Sequence, residues 1–198
     1  MPNKLKIAVT GGIGSGKSTA VAVIKSLGFS VYDLDRIYKD ILQDENFVRK
    51  ISYEMNVEPL VEGGVLSIDR KKISEKVYSD TELLKKLNDL THPAIVAEFI
   101  RRAAAEEKSV FCEVPLLYES GLKEYFDYVI VIMRGVEERI AAVKSRDGKS
   151  REEILRVIEN QTDYTNLRAD AHTIFIENDG DVDKFKEKIE SVVREITR

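Results

Sequence analysis

The chain has 198 residues, 43% of them hydrophobic and 33% charged, so it is long enough to bury a substantial core in one compact domain. Its formal net charge of −4 argues against a nucleic-acid partner, because nucleic-acid binders usually carry a basic excess. The single cysteine excludes an internal disulfide, and the longest apolar runs are too short for a signal peptide or a membrane span, so we expect a cytoplasmic protein with no membrane partner.

Short runs rich in β-branched and aromatic residues predict five strands, and several of these runs are continuously apolar, as in strands buried on both sheet faces. The predicted strands are residues 4–9, 29–32, 110–114, 128–133 and 173–176. A helical pattern follows the first strand at 17–27, and another begins near Asp181 and continues towards the end of the chain. Strands separated by helices of this length predict a parallel α/β sheet.

Between the second and third predicted strands the strand signal nearly vanishes. We predict helices there at 35–43, 45–55, 69–78, 81–90 and 93–107. Pro93 suits the first turn of a separate helix, and Gly63 with Gly64 predicts a turn. A helical block inserted between two sheet strands is a candidate substrate-binding subdomain.

A second irregular region, rich in arginine, lies between the fourth and fifth predicted strands. Ser150 and Glu153 form a capping-box pattern, which predicts that a helix begins there and that 146–149 is a turn between two helices. We interpret the arginines at 139, 151 and 156 as solvated helix-surface residues.

The strongest motif is a phosphate cradle directly after the first strand. Gly11, Gly16, Lys17 and Ser18 fit the pattern G-x-x-x-x-G-K-[ST] without a mismatch. In such a P-loop, backbone N–H groups and a helix N-terminus hold phosphate oxygens, the lysine binds the β- and γ-phosphates, and the serine hydroxyl is a Mg²⁺ ligand. The predicted ATP-binding residues are Gly12, Ile13, Gly14, Ser15, Gly16, Lys17, Ser18 and Thr19.

A P-loop occurs in kinases, GTPases, ATPases and nucleotide-dependent switches. The chain has no D-x-x-G and no N-K-x-D after the loop, which argues against a GTPase, and it is small for an ATPase with added sensor domains. A small-molecule kinase is the favoured class. A kinase of another acceptor and a regulatory nucleotide-binding module remain the alternatives.

Asp33 and Asp35 follow the second strand, at the sheet edge where open parallel sheets bind ligands. A carboxylate there can accept the proton of an attacking hydroxyl group. Asp33, nearer the strand end, is the favoured base. The same two residues could instead cap the helix that follows, since aspartate is a common N-cap.

Two further side chains have the chemistry of a phosphotransferase. Glu113, at the end of the third strand, could hold Mg²⁺, or it could be an ordinary strand-end charge. Arg146 could neutralise charge on the transferring phosphoryl group, or it could be a solvated helix-end arginine. His92 and His172 form no metal-ligand pattern.

With these residues assembled, the chain resembles the dephospho-CoA kinase family over nearly its whole length. The P-loop is followed by the D-x-D of Asp33 and Asp35, by the pair His92-Pro93, and by the sequence EVPLLYE at 113–119. Arg146, Gln161 and the sequence NDG at 178–180 complete the series in the family's order. The D-x-D, His-Pro and P-L-L-x-E elements are much more specific than the P-loop.

The resemblance implies a P-loop nucleotide-kinase-like three-layer α/β fold with a five-stranded parallel sheet. It implies a core of residues 1–34, 108–136 and 170–198, a helical substrate-binding subdomain of residues 35–107, and a lid of residues 137–169. It also implies transfer of the ATP γ-phosphate to the ribose 3′-hydroxyl of dephospho-coenzyme A, the small-molecule partner, with Mg²⁺ as cofactor. We expect the enzyme to be a monomer.

The resemblance also implies residue roles. Asp33 would be the base, Lys17 and Arg146 would stabilise the phosphoryl group, and Ser18 and Glu113 would hold Mg²⁺. The residues expected on the acceptor's side are Asp35, His92, Pro115, Leu116, Leu117, Tyr118 and Glu119. The chain departs from the family pattern at Ala142, where an arginine is usual, at His172, where an aspartate is usual, and around Leu167 and Arg168.

Overall fold

The computed structural model describes residues 4–78, 80–168 and 170–198. They divide into two compact units: the residues up to Asp33 together with Ala105–Arg198, and the segment Leu34–Ala104. In the described ranges, no helix is both long and apolar enough to cross a membrane.

Seven strands and eight α-helices make up the regular structure of the described residues. The strands are β1 Lys6–Thr10, β2 Val31–Asp33, β3 Leu60–Glu62, β4 Val65–Ser67, β5 Val110–Glu113, β6 Tyr128–Met133 and β7 Thr173–Glu177. The helices are α1 Lys17–Ser26, α2 Leu34–Ile41, α3 Glu45–Met55, α4 Arg70–Tyr78, α5 Thr81–Ala104, α6 Val136–Asp147, α7 Arg151–Glu159 and α8 Val182–Ile196. Two 3₁₀ turns lie at Leu122–Tyr125 and Tyr164–Asn166.

The first unit is built on a five-stranded sheet in the order β2-β5-β1-β6-β7. All of its strand pairs are parallel, which confirms the fold class predicted from the sequence. Because the strands are parallel, β1, β2 and β5 present their carboxyl ends at one edge of the sheet. The P-loop leaves β1 at this edge.

The core of the first unit packs α1 and α8 against the sheet. Ile24 of α1, Phe185 and Ile189 of α8, and Ile7 of β1 are all almost fully buried in this core. Burial of each such side chain contributes about 1.5–3 kcal/mol. Asp181 begins α8 as predicted, because its carboxylate accepts from the backbone N–H groups of the first turn.

The second unit, α2 to α5 with the hairpin β3–β4, has its own core. Val48 and Ile51 of α3 are completely buried there, and Ile73 of α4 packs with them. Two predictions were wrong in this segment. The antiparallel hairpin was missed, although Gly63 and Gly64 do form its turn, and the predicted helix boundary before Pro93 does not exist.

Pro93 lies inside one continuous helix, α5, rather than in the first turn of a new one. Proline lacks an N–H, so the carbonyl four residues earlier loses its helical partner at this point. The helix nevertheless continues, since buried residues on both sides of Pro93 keep one face in contact with the core, as Thr91 and Phe99 do. Thr91 Oγ1 also donates to the Leu87 carbonyl at 2.9 Å within this helix.

Candidate active site

The P-loop occupies residues 11–16, between the end of β1 and the start of α1. Gly16 has a φ of 109°, and a Cβ at this position would lie 2.6 Å from Asn178 Nδ2. Gly14 has a φ of 75°, and a Cβ there would lie 2.6 Å from the Arg139 carbonyl oxygen. Both positions therefore require glycine for backbone conformation and for close packing. The first N–H groups of α1 have no intrahelical acceptor and are available to an anion.

The side chain of Lys17 folds back over the loop. Its ammonium group donates to the Gly11 carbonyl at 2.6 Å and to the Gly12 carbonyl at 3.1 Å. Burial lowers the pKa of Lys17; Glu113 raises this pKa in part, and Arg139 and Arg146 lower it further. A lysine whose charge is disfavoured by burial and by two neighbouring guanidinium groups is in a site that favours an anionic ligand.

Arg139 of α6 and Gln161, just after α7, hold the loop in place. Gln161 Oε1 accepts from the Ile13 N–H at 2.8 Å, while Arg139 Nε donates to the Ile13 carbonyl at 2.9 Å. Arg139 Nη2 also donates to Gln161 Oε1 at 3.2 Å, which closes the network. The interpretation of Arg139 as a solvated residue was therefore wrong: it is half-buried and supports the P-loop.

The other two arginines in that interpretation do lie at the surface. Arg151 is exposed and pairs with Glu137 at 2.7 Å, and Arg156 is exposed on α7.

We expect Arg139→Met to lower the free energy of unfolding by about 1–3 kcal/mol, because it removes hydrogen bonds from a charged donor and leaves the Ile13 carbonyl unsatisfied. Chemical denaturation measures this change. Arg151→Met is the matched control, since its exposed ion pair should contribute at most about 1 kcal/mol. Equal losses in the two variants would contradict a supporting role for Arg139.

Arg134 and Asn178 also bond to the loop, and sequence reasoning assigned neither to the site. Arg134, directly after β6, donates through Nη1 to the Gly14 carbonyl at 3.3 Å. Asn178, directly after β7, donates through Nδ2 to the Ser15 carbonyl at 2.9 Å. Arg134 follows β6, the neighbour of β1, and Asn178 follows β7, one strand further along. Position after a strand was the available signal for Arg134, and Asn178 also belongs to the NDG sequence of the family resemblance.

A cavity of about 420 Å³ lies against the P-loop and brings together many of the predicted site residues. Its lining comprises Ile13, Gly14, Ser15, Gly16, Lys17, Ser18, Thr19, Glu113, Pro115, Arg134, Ala142, Val143, Arg146, Val157 and Gln161. It therefore contains the predicted ATP-binding residues from Ile13 onward, both predicted metal ligands, and two of the three predicted catalytic residues.

The third predicted catalytic residue, Asp33, ends β2 next to Glu113, whose carboxylate lines this cavity. In the parallel ladder Asp33 is the Cα partner of Glu113, and Glu113 is also the partner of Val9 in β1. Asp33 is exposed, and α2 begins at the residue that follows it. Two carboxylates on adjacent strands thus stand at the sheet edge from which the P-loop emerges.

Arg146 lies in the last turn of α6, not in the turn between α6 and α7 as predicted. It is an exposed residue whose guanidinium makes two hydrogen bonds to the Asp147 carboxylate, at 2.7 and 2.8 Å. This ion pair raises the pKa of Arg146 and lowers that of Asp147, so both remain charged. Ala142 lies one turn earlier on α6 and lines the same cavity.

The loop after β5 carries the predicted residues 115–119 in different environments. Pro115 lines the cavity, Leu116 is exposed, and Leu117 is fully buried. The ring of Tyr118 meets the ring of Tyr164 edge-on, with centroids 6.1 Å apart.

Glu119 links this loop to the segment that follows α7. Its carboxylate accepts from the backbone N–H of Thr162 at 2.7 Å. Thr162 directly follows Gln161, which holds the P-loop. The remaining predicted acceptor residues, Asp35 in the first turn of α2 and His92 within α5, belong to the second compact unit.

Ser18 and Glu113 offer a hydroxyl and a carboxylate to the same cavity, and hard cations such as Mg²⁺ prefer such oxygen ligands. In the described part of the chain, no group of three or more His, Cys, Asp or Glu could hold a metal by itself. Two oxygen ligands beside a phosphate cradle fit an ion that keeps several waters and is shared with substrate phosphates.

The sequence matches the family model for dephospho-CoA kinase over residues 5–184. A dephospho-CoA kinase of Corynebacterium glutamicum is 34% identical, over 97% of this chain and 100% of that protein. A dephospho-CoA kinase of Fusobacterium nucleatum is 32% identical, over 93% of this chain and 94% of the relative.

Solved structures agree with these matches. A crystal structure from Thermus thermophilus has a TM-score of 0.81 at 32% identity and covers 99% of this chain and 100% of that one. The dephospho-CoA kinase from Campylobacter jejuni has a TM-score of 0.70 at 32% identity, with 98% of each chain covered. A gluconokinase from Sinorhizobium meliloti, at 15% identity and a TM-score of 0.52, shares the fold.

Proposed function

The chain belongs to the dephospho-CoA kinase family, and we infer that it phosphorylates dephospho-CoA with ATP to give CoA and ADP, the last step of CoA biosynthesis. The acceptor atom is the ribose 3′-hydroxyl. One structural observation carries the inference: a single cavity contains the P-loop lysine, two oxygen ligands and an arginine, and a second carboxylate ends the adjacent strand.

On the ATP side, the loop N–H groups and the positive end of α1 bind the polyphosphate. Lys17 leaves its carbonyl partners in the loop and pairs with the β- and γ-phosphates. Arg139 and Gln161 keep the backbone at Ile13 fixed, so the N–H groups need no reorganisation when phosphate arrives. Ser18 and Glu113 would hold Mg²⁺, which would neutralise phosphate charge.

On the acceptor side, Asp33 takes the proton of the 3′-hydroxyl. The freed oxygen forms a bond to the γ-phosphorus as the bond to the bridging β–γ oxygen breaks, and ADP leaves. The helical subdomain at 35–107, with Asp35 and His92, and the loop residues 115–119 bind dephospho-CoA in this proposal. The lid at 137–169 closes to exclude water, which otherwise competes as the acceptor.

Arg146→Ala is expected to lower kcat by a factor on the order of 10³, because a guanidinium that neutralises the transferring phosphoryl group acts mainly in the transition state. Steady-state kinetics with saturating ATP and dephospho-CoA measure the effect. Arg156→Ala, on the exposed face of α7, is the control and should retain wild-type turnover. A loss below about tenfold for Arg146→Ala would remove this residue from the catalytic set.

A panel of acceptors tests the function as a whole. The purified chain is incubated with Mg-ATP and, separately, dephospho-CoA, nucleoside monophosphates, gluconate and shikimate, and ADP release is followed. We expect rapid turnover with dephospho-CoA alone. Turnover of a nucleoside monophosphate without turnover of dephospho-CoA would assign the chain to another acceptor. Tight ATP binding with no acceptor at all would favour a regulatory module.

We also propose that the enzyme acts as a cytoplasmic monomer without a nucleic-acid partner. The net charge of −4 supports the last point. Light scattering across a range of protein concentrations tests the oligomeric state, and a mass that grows with concentration would contradict a monomer.

A further inference from the structure

Gln161 holds the P-loop through a flexible side chain, so its contact depends on what fixes the segment that carries it. Its Oε1 accepts from the Ile13 N–H at 2.8 Å and from Arg139 Nη2 at 3.2 Å. Gln161 follows the end of α7 and lies outside the helices and strands of the described residues. Ordering a glutamine side chain costs conformational entropy, and a mobile backbone adds to that cost. A fixed backbone at Gln161 therefore strengthens its contact with the loop.

Tyr164 is the buried residue of this segment. The structure describes all of residues 160–168, and among them Tyr164 alone is buried, with 5% of its surface exposed. It begins the 3₁₀ turn after α7, and its ring meets the ring of Tyr118 edge-on, with centroids 6.1 Å apart. A large aromatic ring packed in the first unit thus anchors a segment whose other residues are exposed or half-buried.

The hydroxyl of Tyr164 ties the same segment to the strand that leads into the P-loop. It lies 3.4 Å from Oγ1 of Thr10, the fully buried last residue of β1. Buried hydroxyl groups need hydrogen-bond partners, and each of these two supplies the other's. Burial raises the pKa of Tyr164, so its hydroxyl stays protonated and can donate. Thr10 directly precedes Gly11, so the tie is made at the start of the loop.

A second contact fixes the segment close to Gln161. Glu119 accepts from the Thr162 N–H at 2.7 Å. Because this bond lies at the surface, water competes for it, whereas the hydroxyl pair of Tyr164 and Thr10 is buried. Tyr164 is therefore the anchor whose loss we expect to matter more.

We propose that Tyr164 is a positioning residue for ATP binding. It anchors the segment after α7 to the end of β1, and the anchored Gln161 then holds the backbone at Ile13 in the shape that presents the remaining loop N–H groups to phosphate. Tyr164 acts through Gln161, so it is not a catalytic residue. This inference rests on the proposed function of the same site.

Tyr164→Leu removes the hydroxyl and the ring contact, so it should weaken ATP and ADP binding about 3–10-fold, the effect of roughly one net hydrogen bond. Tyr164→Phe removes the hydroxyl alone and keeps the buried ring, so we expect a loss of about 2–3-fold. In a Gln161→Ala background, both substitutions should change the Kd for ATP by less than about 1.5-fold, because the side chain through which they act is gone. A merely structural residue would not show this dependence on Gln161.

Titration calorimetry gives the Kd for ATP and ADP, kinetics give the KM for dephospho-CoA, and chemical denaturation confirms that each variant is folded under the conditions used. Tyr128→Leu is the matched control. Tyr128 is a half-buried tyrosine at the start of β6, the opposite end of the strand from the P-loop edge, and its ring contacts His172. The control should lose stability and keep wild-type ATP binding. The KM for dephospho-CoA should stay within about twofold of wild type in all variants.

A Kd for ATP within about 1.5-fold of wild type in Tyr164→Leu would overturn the inference. Losses that are fully additive with Gln161→Ala, an equal loss in Tyr128→Leu, or a change confined to the KM for dephospho-CoA would overturn it as well. If Tyr164→Leu does not fold, Tyr164→Phe decides by the same cycle. The Kd measurements need no acceptor, so they are separate from failure of the proposed function, in which the wild-type chain would not phosphorylate dephospho-CoA.

Discussion

Replacing Lys17 with alanine is expected to abolish phosphoryl transfer, with turnover reduced by more than about 10⁴-fold. Lys17 is the cation placed directly over the loop, where its ammonium group contacts the Gly11 and Gly12 carbonyls. Burial lowers the pKa of Lys17, so the ammonium charge is disfavoured at this position until an anionic ligand binds beside it. Alanine leaves the cradle without a charge to balance the γ-phosphate.

Lys25→Ala provides the control, because Lys25 is an exposed residue on the last turn of the same helix. The control should keep wild-type turnover and the same far-UV circular dichroism. Turnover by Lys17→Ala within tenfold of wild type would show that the loop does not position the reacting phosphate.

Asp33→Asn should lower kcat by a factor on the order of 10⁴, the upper end of the range for a general base, while the Kd for ATP changes less than about threefold. The carboxamide has nearly the same shape as the carboxylate but cannot accept the hydroxyl proton. Asp33 lies on β2, one strand removed from β1, so the ATP cradle should not be disturbed. Rapid-quench kinetics with calorimetry separate the two effects.

Asp183→Asn is the matched control for this substitution, since the Asp183 side chain is 88% exposed in the first turn of α8. Near-normal turnover in Asp33→Asn would remove the base assignment and favour the alternative, in which Asp33 caps α2. A loss of ATP affinity equal to the loss of kcat would indicate that the residue acts through nucleotide binding.

The parts of the molecule that depend on local sequence could be predicted. The five strands of the parallel sheet lie in runs rich in β-branched and aromatic residues, and each predicted strand overlaps an observed one, with 128–133 matching in both bounds. The P-loop could be predicted because phosphate binding by such a loop requires specific residue types at fixed spacing, and all of them lie within eight residues. The capping box at Ser150 is confirmed for the same reason.

The errors in the helical unit arose where tertiary packing outweighs local preference. Pro93 signals a helix start, but burial on both sides of it keeps α5 continuous. The strands β3 and β4 have three residues each and are mostly exposed, so they show no alternation of apolar and polar residues to read.

The supporting residues of the P-loop could not be found from local pattern at all. Arg139 and Asn178 are more than a hundred residues from the carbonyl groups that they bind. Their contacts exist only because the parallel sheet places the ends of β6 and β7 near the loop that follows β1. An arginine on a helix surface and an asparagine just after a strand both have commoner explanations in sequence.

The most direct test of the central claim is to locate the transferred phosphate. The enzyme is incubated with Mg-ATP labelled in the γ-phosphate and with dephospho-CoA, and the product is identified by phosphorus NMR and mass spectrometry. We expect the label on the ribose 3′-hydroxyl, with CoA and ADP formed in equal amounts. Label in inorganic phosphate alone, or on an atom other than that hydroxyl, would contradict the claim that this site positions dephospho-CoA for in-line attack on ATP.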